Sequence, residues 1–172
     1  MPTETISNTQ PMELSAPEKL NDFHVLSGFE CGETSIDQYL HKEARASQKK
    51  GHAAVYVACE QGTRNVMAFY TLSNGSVARE EVPKSRQRNS PSRHSITLLG
   101  RMGVSKAAQG SGVATAILKD AIIRSLNAAE VIGSSALIVH PLNDRLAKFY
   151  REKAGFIPCP TLSPVTLMLP LK

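Results

Sequence analysis

The six residues QGSGVA, Gln109 to Ala114, open a run of helical periodicity and are the part of the chain best made to hold an anion. Gly110 and Gly112 let the backbone turn tightly and approach a ligand with no Cβ in the way. A helix beginning at about Ser111 leaves its first N–H groups without intrahelical acceptors, and the positive end of its dipole points the same way. A phosphate or pyrophosphate suits such a turn. Spacing excludes two familiar phosphate loops: no Lys-Ser or Lys-Thr follows Gly112, and Thr115 stands where a dinucleotide fingerprint needs its third glycine.

Two further groups of residues carry chemistry. Tyr150, in FYREKAGF, is either a core aromatic whose hydroxyl meets a partner or, beside a thioester, a proton donor to the departing sulfur. Lys84, Arg86, Arg88, Arg93 and Arg101 occupy a segment without Asp or Glu, which is either a solvated loop or a grip on nucleic-acid phosphates at the same edge as the glycine turn. Without Phe, Tyr or Trp to stack splayed bases, that segment would work through backbone shape. No metal site is expected, because His24, His52, His94 and His140 lack ligand spacing and Cys31, Cys59 and Cys159 form no CxxC pair. Paired carboxylates are also missing, and an α-amine acceptor needs none: with a pKa of ~8 it is partly neutral at pH 7, unlike a lysine amine at ~10.4.

These groups must be positioned by a set of alternating elements. Val113, Ile117, Leu118, Ala121, Ile122 and Leu126 share one helical face, and SITLLGRMGV before the turn reads as a strand. HAAVYVACE and VMAFYTLS read as an antiparallel hairpin around QGTRN. Thr34 and Asp37 resemble a capping box for a short helix ending near Gly51. Downstream, Ala136 to Val139 is a strand, and Asn143 begins a helix that carries Leu146, Ala147 and Tyr150 and closes at Gly155. A polar arm over residues 1–17 precedes one domain over residues 18–172.

Composition agrees with one globular domain: 172 residues, 41% hydrophobic and 20% charged, with no apolar run approaching the ~18 residues of a membrane helix. Isolated cysteines and the absence of a secretory leader pattern point to the cytoplasm and to no membrane. A net charge of +5 favours a polyanionic partner.

Gln109-x-x-Gly112-x-Ala114, between a strand and a long helix, resembles the acetyl-CoA pyrophosphate motif of the GNAT acyltransferase superfamily, Gln/Arg-x-x-Gly-x-Gly/Ala. With LSAPEKLNDFHVLSGFECGETSIDQYL, AFYTLSNG, LLGRMGV, GSSALIVHPLNDRLAKFYREKAGF and LSPVTLMLPL, the chain over roughly residues 13–171 is similar to the bacterial GNAT toxins of type II toxin-antitoxin systems. The pattern departs at Ser105, where an acidic residue is usual, and at GRMGV in place of GRLAV.

The resemblance implies an α/β GNAT fold: a central mixed twisted β-sheet flanked by helices, its splayed parallel strands forming the acetyl-CoA slot. Backbone groups of Met102, Gly103 and Val104 would bond the pantetheine amides, and Gln109, Gly110, Ser111, Gly112, Val113 and Ala114 would hold the pyrophosphate. Phe149 would form a cofactor wall or pack, Asn143 would touch the cofactor or cap its helix, and Tyr150 would be the general acid. Lys84, Arg86, Arg88 and Arg93 would contact nucleic acid. Toxins of this kind acetylate the α-amine of aminoacyl-tRNA and so block translation. They dimerise, and a small ribbon-helix-helix antitoxin neutralises them and brings them to promoter DNA. Two other readings remain at this level: acetylation of a protein N-terminus or small amine, for which the basic segment is idle, and a non-catalytic co-repressor, for which the Tyr150 hydroxyl is idle.

Overall fold

A hairpin, one helical crossover and an inserted last strand build the sheet that carries the glycine turn. The computed structural model describes residues 12–172. β1 (Glu18–Lys19) edges β2 (Ala54–Cys59), which pairs antiparallel with β3 (Val66–Ala78) as the hairpin pattern predicts. β3 pairs antiparallel with β4 (Arg93–Val104). The crossover through α3 (Val113–Ile132) then returns the chain so that β5 (Ala136–Val139) lies parallel to β4. After α4 (Asp144–Ala154) come β6 (Ile157–Pro158) and β7 (Leu167–Pro170), and β7 sits between β5 and β6. The sheet is mixed, with order β1-β2-β3-β4-β5-β7-β6.

One face is covered by α3 and α4, whose Ile117, Leu118, Ala121 and Tyr150 pack with Tyr70, Leu99, Leu137 and Leu167 of the strands. The opposite face, at the β2–β3 end, is covered by α1 (Thr34–Gln38), a π turn over Tyr39–Glu43 and α2 (Ala44–Lys49), with Leu40 and Ala44 among Val55, Val57 and Phe69. Its β4–β5–β7 end is closed by loops that supply Val82 and Cys159 to Ile96, Ile138 and Met168.

Three local expectations need correction. Leu126 is exposed; the inner face of α3 continues through Ser125 and Ala129 instead, because 3.6-residue periodicity carries the stripe past Leu126. Thr34 does not cap its helix. Glu33 is the cap residue, and the Asp37 carboxylate accepts the Cys31 N–H at 2.9 Å, fastening the preceding loop. The helix itself is interrupted by the π turn and ends at Lys49. Of the arm expected over residues 1–17, the part from Met12 is fastened: the Ser15 N–H donates to the Cys59 carbonyl at 2.8 Å, and Arg124 reaches the Pro17 carbonyl at 2.9 Å. Residues 1–11 lie outside the described residues. Among the described residues no helix is long and apolar enough to cross a membrane, and no three His, Cys, Asp or Glu side chains gather as metal ligands.

Candidate active site

β4 and β5 pair only from Ile96 opposite Ala136 to Leu99 opposite Val139. β5 stops there while β4 runs on to Val104, so the two parallel strands part and leave one edge of β4 open. A bulge bends β4 at the parting point. The register with β3 steps from Tyr70 opposite Met102 to Leu72 opposite Leu99, which leaves Gly100 and Arg101 together facing Thr71. Thr71 Oγ1 accepts the Arg101 N–H at 3.0 Å, and a Cβ on Gly100 would meet that same oxygen at 2.8 Å, so the bulge requires glycine.

The open edge is divided by the antiparallel alternation. The Ser105 N–H donates to the Met67 carbonyl at 2.7 Å, so Gly103, two residues back, also turns its backbone groups to β3, and Met102 and Val104 turn theirs to the slot. Gly103 serves packing: a Cβ there would come within 2.9 Å of Ile36 and 3.2 Å of the Phe29 ring. This accounts for GRMGV in this chain, since Ile36 occupies the room that an alanine methyl would take. Ser105, the other departure, is buried and exchanges hydrogen bonds with the Glu30 backbone, accepting its N–H at 3.2 Å and facing its carbonyl at 3.3 Å.

The slot is a cleft of about 450 Å³ walled by Ile36, Met102, Val104, Leu146 and Phe149, with Gly110 and Ala114 at its phosphate end. Gln109 orders that end. Its Nε2 donates to the Val104 carbonyl at 2.8 Å and to the Cys31 carbonyl at 2.9 Å, clasping the end of β4 to the loop before α1. Gly110 and Gly112 adopt φ of 89° and 81°, and the helix starts two residues later than the expected Ser111, at Val113, with no side-chain cap. Among the described residues, none of the N–H groups from Gly110 to Ala114 donates to a protein acceptor. Five exposed or half-exposed donors without partners at a helix N-terminus fit a pyrophosphate. Ser111, Gly112 and Val113 also border a neighbouring cleft of about 560 Å³ under Met12 and Leu14, so the turn faces two hollows.

α4 places the remaining groups. Asn143 caps it, its Oδ1 accepting the Leu146 N–H at 2.9 Å, and Gly155 closes it at φ 74°. Phe149 lines the slot, and Tyr150 beside it is buried between Phe149 and Phe156, with ring centroids 5.4 and 5.5 Å away. Burial pushes the Tyr150 phenol up to about 12, and among the described residues its hydroxyl has no hydrogen-bond partner. A buried hydroxyl left unpaired costs ~1–3 kcal/mol, which makes it a candidate for work on a bound molecule. Sequence reasoning missed Cys31, Glu33, Ile36, Arg145 and Leu146 as slot residues. Only tertiary folding brings the first three to α4, and Arg145 and Leu146 carry no local signal. Burial also pushes the Cys31 thiol up, to about 11, so the residue enters the site through its carbonyl.

The basic segment does not join this site. Arg86, Arg88 and Arg93 line a separate cleft with Ala129, Ile132 and Gly133, at the C-terminal end of α3, whereas the slot takes Gly110 and Ala114 from its N-terminal side. The two lie towards opposite ends of a 20-residue helix about 30 Å long. The expectation of one shared edge fails because β4, 12 residues long, begins at the basic loop and ends at the slot. Arg101 alone lies at the slot end, its guanidinium 4.3 Å over the Tyr39 ring.

Comparison with known proteins agrees with this geometry. A family model described as acetyltransferase (GNAT) family matches residues 20–156. The chain is 39% identical over 158 residues to a tRNA-acetylating toxin of Mycobacterium tuberculosis, covering 92% of this chain and 93% of that protein. It superposes on AtaT complexed with acetyl-methionyl-tRNAfMet with a TM-score of 0.85 at 27% identity, covering 92% of this chain and 95% of AtaT. A crystal structure of AtaTR bound with AcCoA matches with a TM-score of 0.80 at 26% identity, covering 92% and 94%. A splayed parallel pair, a glycine turn of unpaired amides and a family match that spans both make the conclusion plain: the chain belongs to the acetyltransferase (GNAT) family.

Proposed function

We propose that the chain is a toxin that transfers the acetyl group of acetyl-CoA to the free α-amine of aminoacyl-tRNA and thereby halts translation. The observation that carries this reading is the identity to a tRNA-acetylating toxin, which extends over nearly the whole of both chains and so includes every element around the slot.

Acetyl-CoA supplies an acyl group already activated as a thioester. The unpaired N–H groups from Gly110 to Ala114 hold its pyrophosphate, and the slot-facing backbone of Met102 and Val104 takes the pantetheine amides as a short added strand. Phe149, Ile36 and Leu146 exclude water along the apolar walls. The α-amine reacts in its neutral form, which a pKa of ~8 provides without a side-chain base, and gives its proton to solvent. Tyr150 holds a proton at Oη and gives it to the sulfur as the carbon–sulfur bond breaks, so that one amide and one thiol leave the site. Asn143 is committed to its helix cap and acts by fixing α4.

As an assembly, the protein is a homodimer neutralised by a ribbon-helix-helix antitoxin, and it meets promoter DNA only through that complex. The test of the chemistry is incubation of the purified chain with radiolabelled acetyl-CoA and a total charged-tRNA pool. Label should appear in N-acetylated amino acids released from tRNA by mild base. Label confined to protein N-termini or free amines would overturn the reading.

A further inference from the structure

We propose that the cleft at the far end of the sheet is a second nucleic-acid site, which grips backbone phosphates of the tRNA body at the opposite end of β4 and α3 from the glycine turn. The inference rests on the aminoacyl-tRNA reading above and adds where the rest of the substrate lies.

Three segments far apart in sequence form this cleft: residues 85–95, the end of α3 with the turn after it, and β7 with the tail that follows it. Its volume is about 820 Å³, larger than the slot, and no Asp or Glu lines it. Arg86, Arg88, Arg93 and Lys172 supply positive charge. The first three make no ion pair among the described residues, and Lys172 only approaches the exposed Glu130, at 3.8 Å. Two of the arginines are pre-set: Arg86 donates to the Lys172 carbonyl at 2.7 Å, and Arg93 donates through Nε to the Ser76 hydroxyl at 3.1 Å and through Nη2 to the Ser76 carbonyl at 3.4 Å. Both guanidinium groups keep further N–H donors for a phosphate oxygen. Arg88 is exposed and makes no hydrogen bond among the described residues. No Phe, Tyr or Trp lines the cleft, so it has no platform for unstacked bases and suits the phosphates of a duplex.

The spacing gives the cleft its meaning. α3 runs without a break between the two ends and β4, bent once at its bulge, joins them as well, so the two sites are held at a fixed separation. A substrate reaches both only if a phosphate backbone extends well beyond its reactive end. A free amino acid or a short single strand reaches the slot alone.

Two measurements test this. The first is binding of uncharged tRNA across a salt series. Each phosphate contact contributes ~0.7–0.9 to the slope of log affinity against log salt, so Arg88→Glu should lower the slope by about 1 and Arg86→Glu/Arg88→Glu by about 2, with acetyl-CoA affinity unchanged. The second compares acetylation of full-length aminoacyl-tRNA with that of an aminoacylated trinucleotide. The variants should lose about tenfold in kcat/KM on the tRNA at moderate salt and stay within twofold of wild type on the trinucleotide. Unchanged salt slopes, or equal losses on both substrates, overturn the proposal. A wild-type protein that binds tRNA with the expected salt dependence yet acetylates neither substrate overturns the aminoacyl-tRNA reading while leaving the cleft in place.

Discussion

A proton donor to a departing thiolate must still hold its proton when the sulfur leaves, and burial secures that for Tyr150 by raising its phenol to about 12. Tyr150→Phe keeps the ring against Phe149 and Phe156 and removes only the unpaired oxygen. Acetyl-CoA binding and thermal stability should therefore survive, while the single-turnover rate falls by ~10²- to 10⁴-fold. A rate within threefold of wild type would remove the hydroxyl from the mechanism. The pH profile follows from the same assignment. The wild-type rate should climb as the substrate amine deprotonates up to pH ~8 and then level, with no decline below pH ~11, because the acid stays protonated over that whole range. A descending limb near pH 9 would point to a different acid. At this scale the sequence was informative about Tyr150 only through its neighbours in FYREKAGF; nothing in a lone tyrosine distinguishes an unpaired hydroxyl from a satisfied one.

The start of α3 and the end of β4 are each set by a backbone that tolerates little. Gly112 stands at φ 81° with open space around it, so a bulky side chain there meets no wall but strains the turn and covers its donors. Gly112→Trp should weaken acetyl-CoA binding at least tenfold by calorimetry in a protein that remains folded. Gly103 is the opposite case. Its backbone needs no special conformation, yet a methyl group would sit 2.9 Å from Ile36. Gly103→Ala should cost ~1–3 kcal/mol in denaturant unfolding, and the same change made in an Ile36→Ala background, which removes the Cγ2 methyl that stands in the way, should cost clearly less. An equal cost of Gly103→Ala in the two backgrounds would mean that Ile36 is not what excludes the methyl. The elements themselves were largely legible, because α3, α4 and β5 are written in local periodicity and caps. The bulge at Gly100 and the π turn at Tyr39 were not, since both arise from pairing and packing with residues elsewhere in the chain. Nor was the place of the basic segment. Arg93 and Arg101 look close on paper, but eight residues of extended strand carry the chain ~26 Å.

For the whole molecule, the proposed toxin activity has growth as its readout. Expression of the wild-type protein alone should arrest growth within one doubling, Tyr150→Phe should not, and co-expression of the cognate antitoxin should restore growth. Continued growth with soluble wild-type protein present would argue against toxin activity. The uncapped start of α3 has a consequence of another kind. Amides with no internal acceptor trade their protons with water almost as fast as those of an open chain, so in the free protein the segment from Gly110 to Ala114 should take up deuterium within seconds. Saturating acetyl-CoA should slow that uptake many-fold, whereas tRNA bound at the amine side should leave it alone. The same short peptide then distinguishes two ways of silencing the enzyme. An inhibitor that evicts the donor leaves these amides quick to exchange, and one that only covers the acceptor entrance leaves them protected.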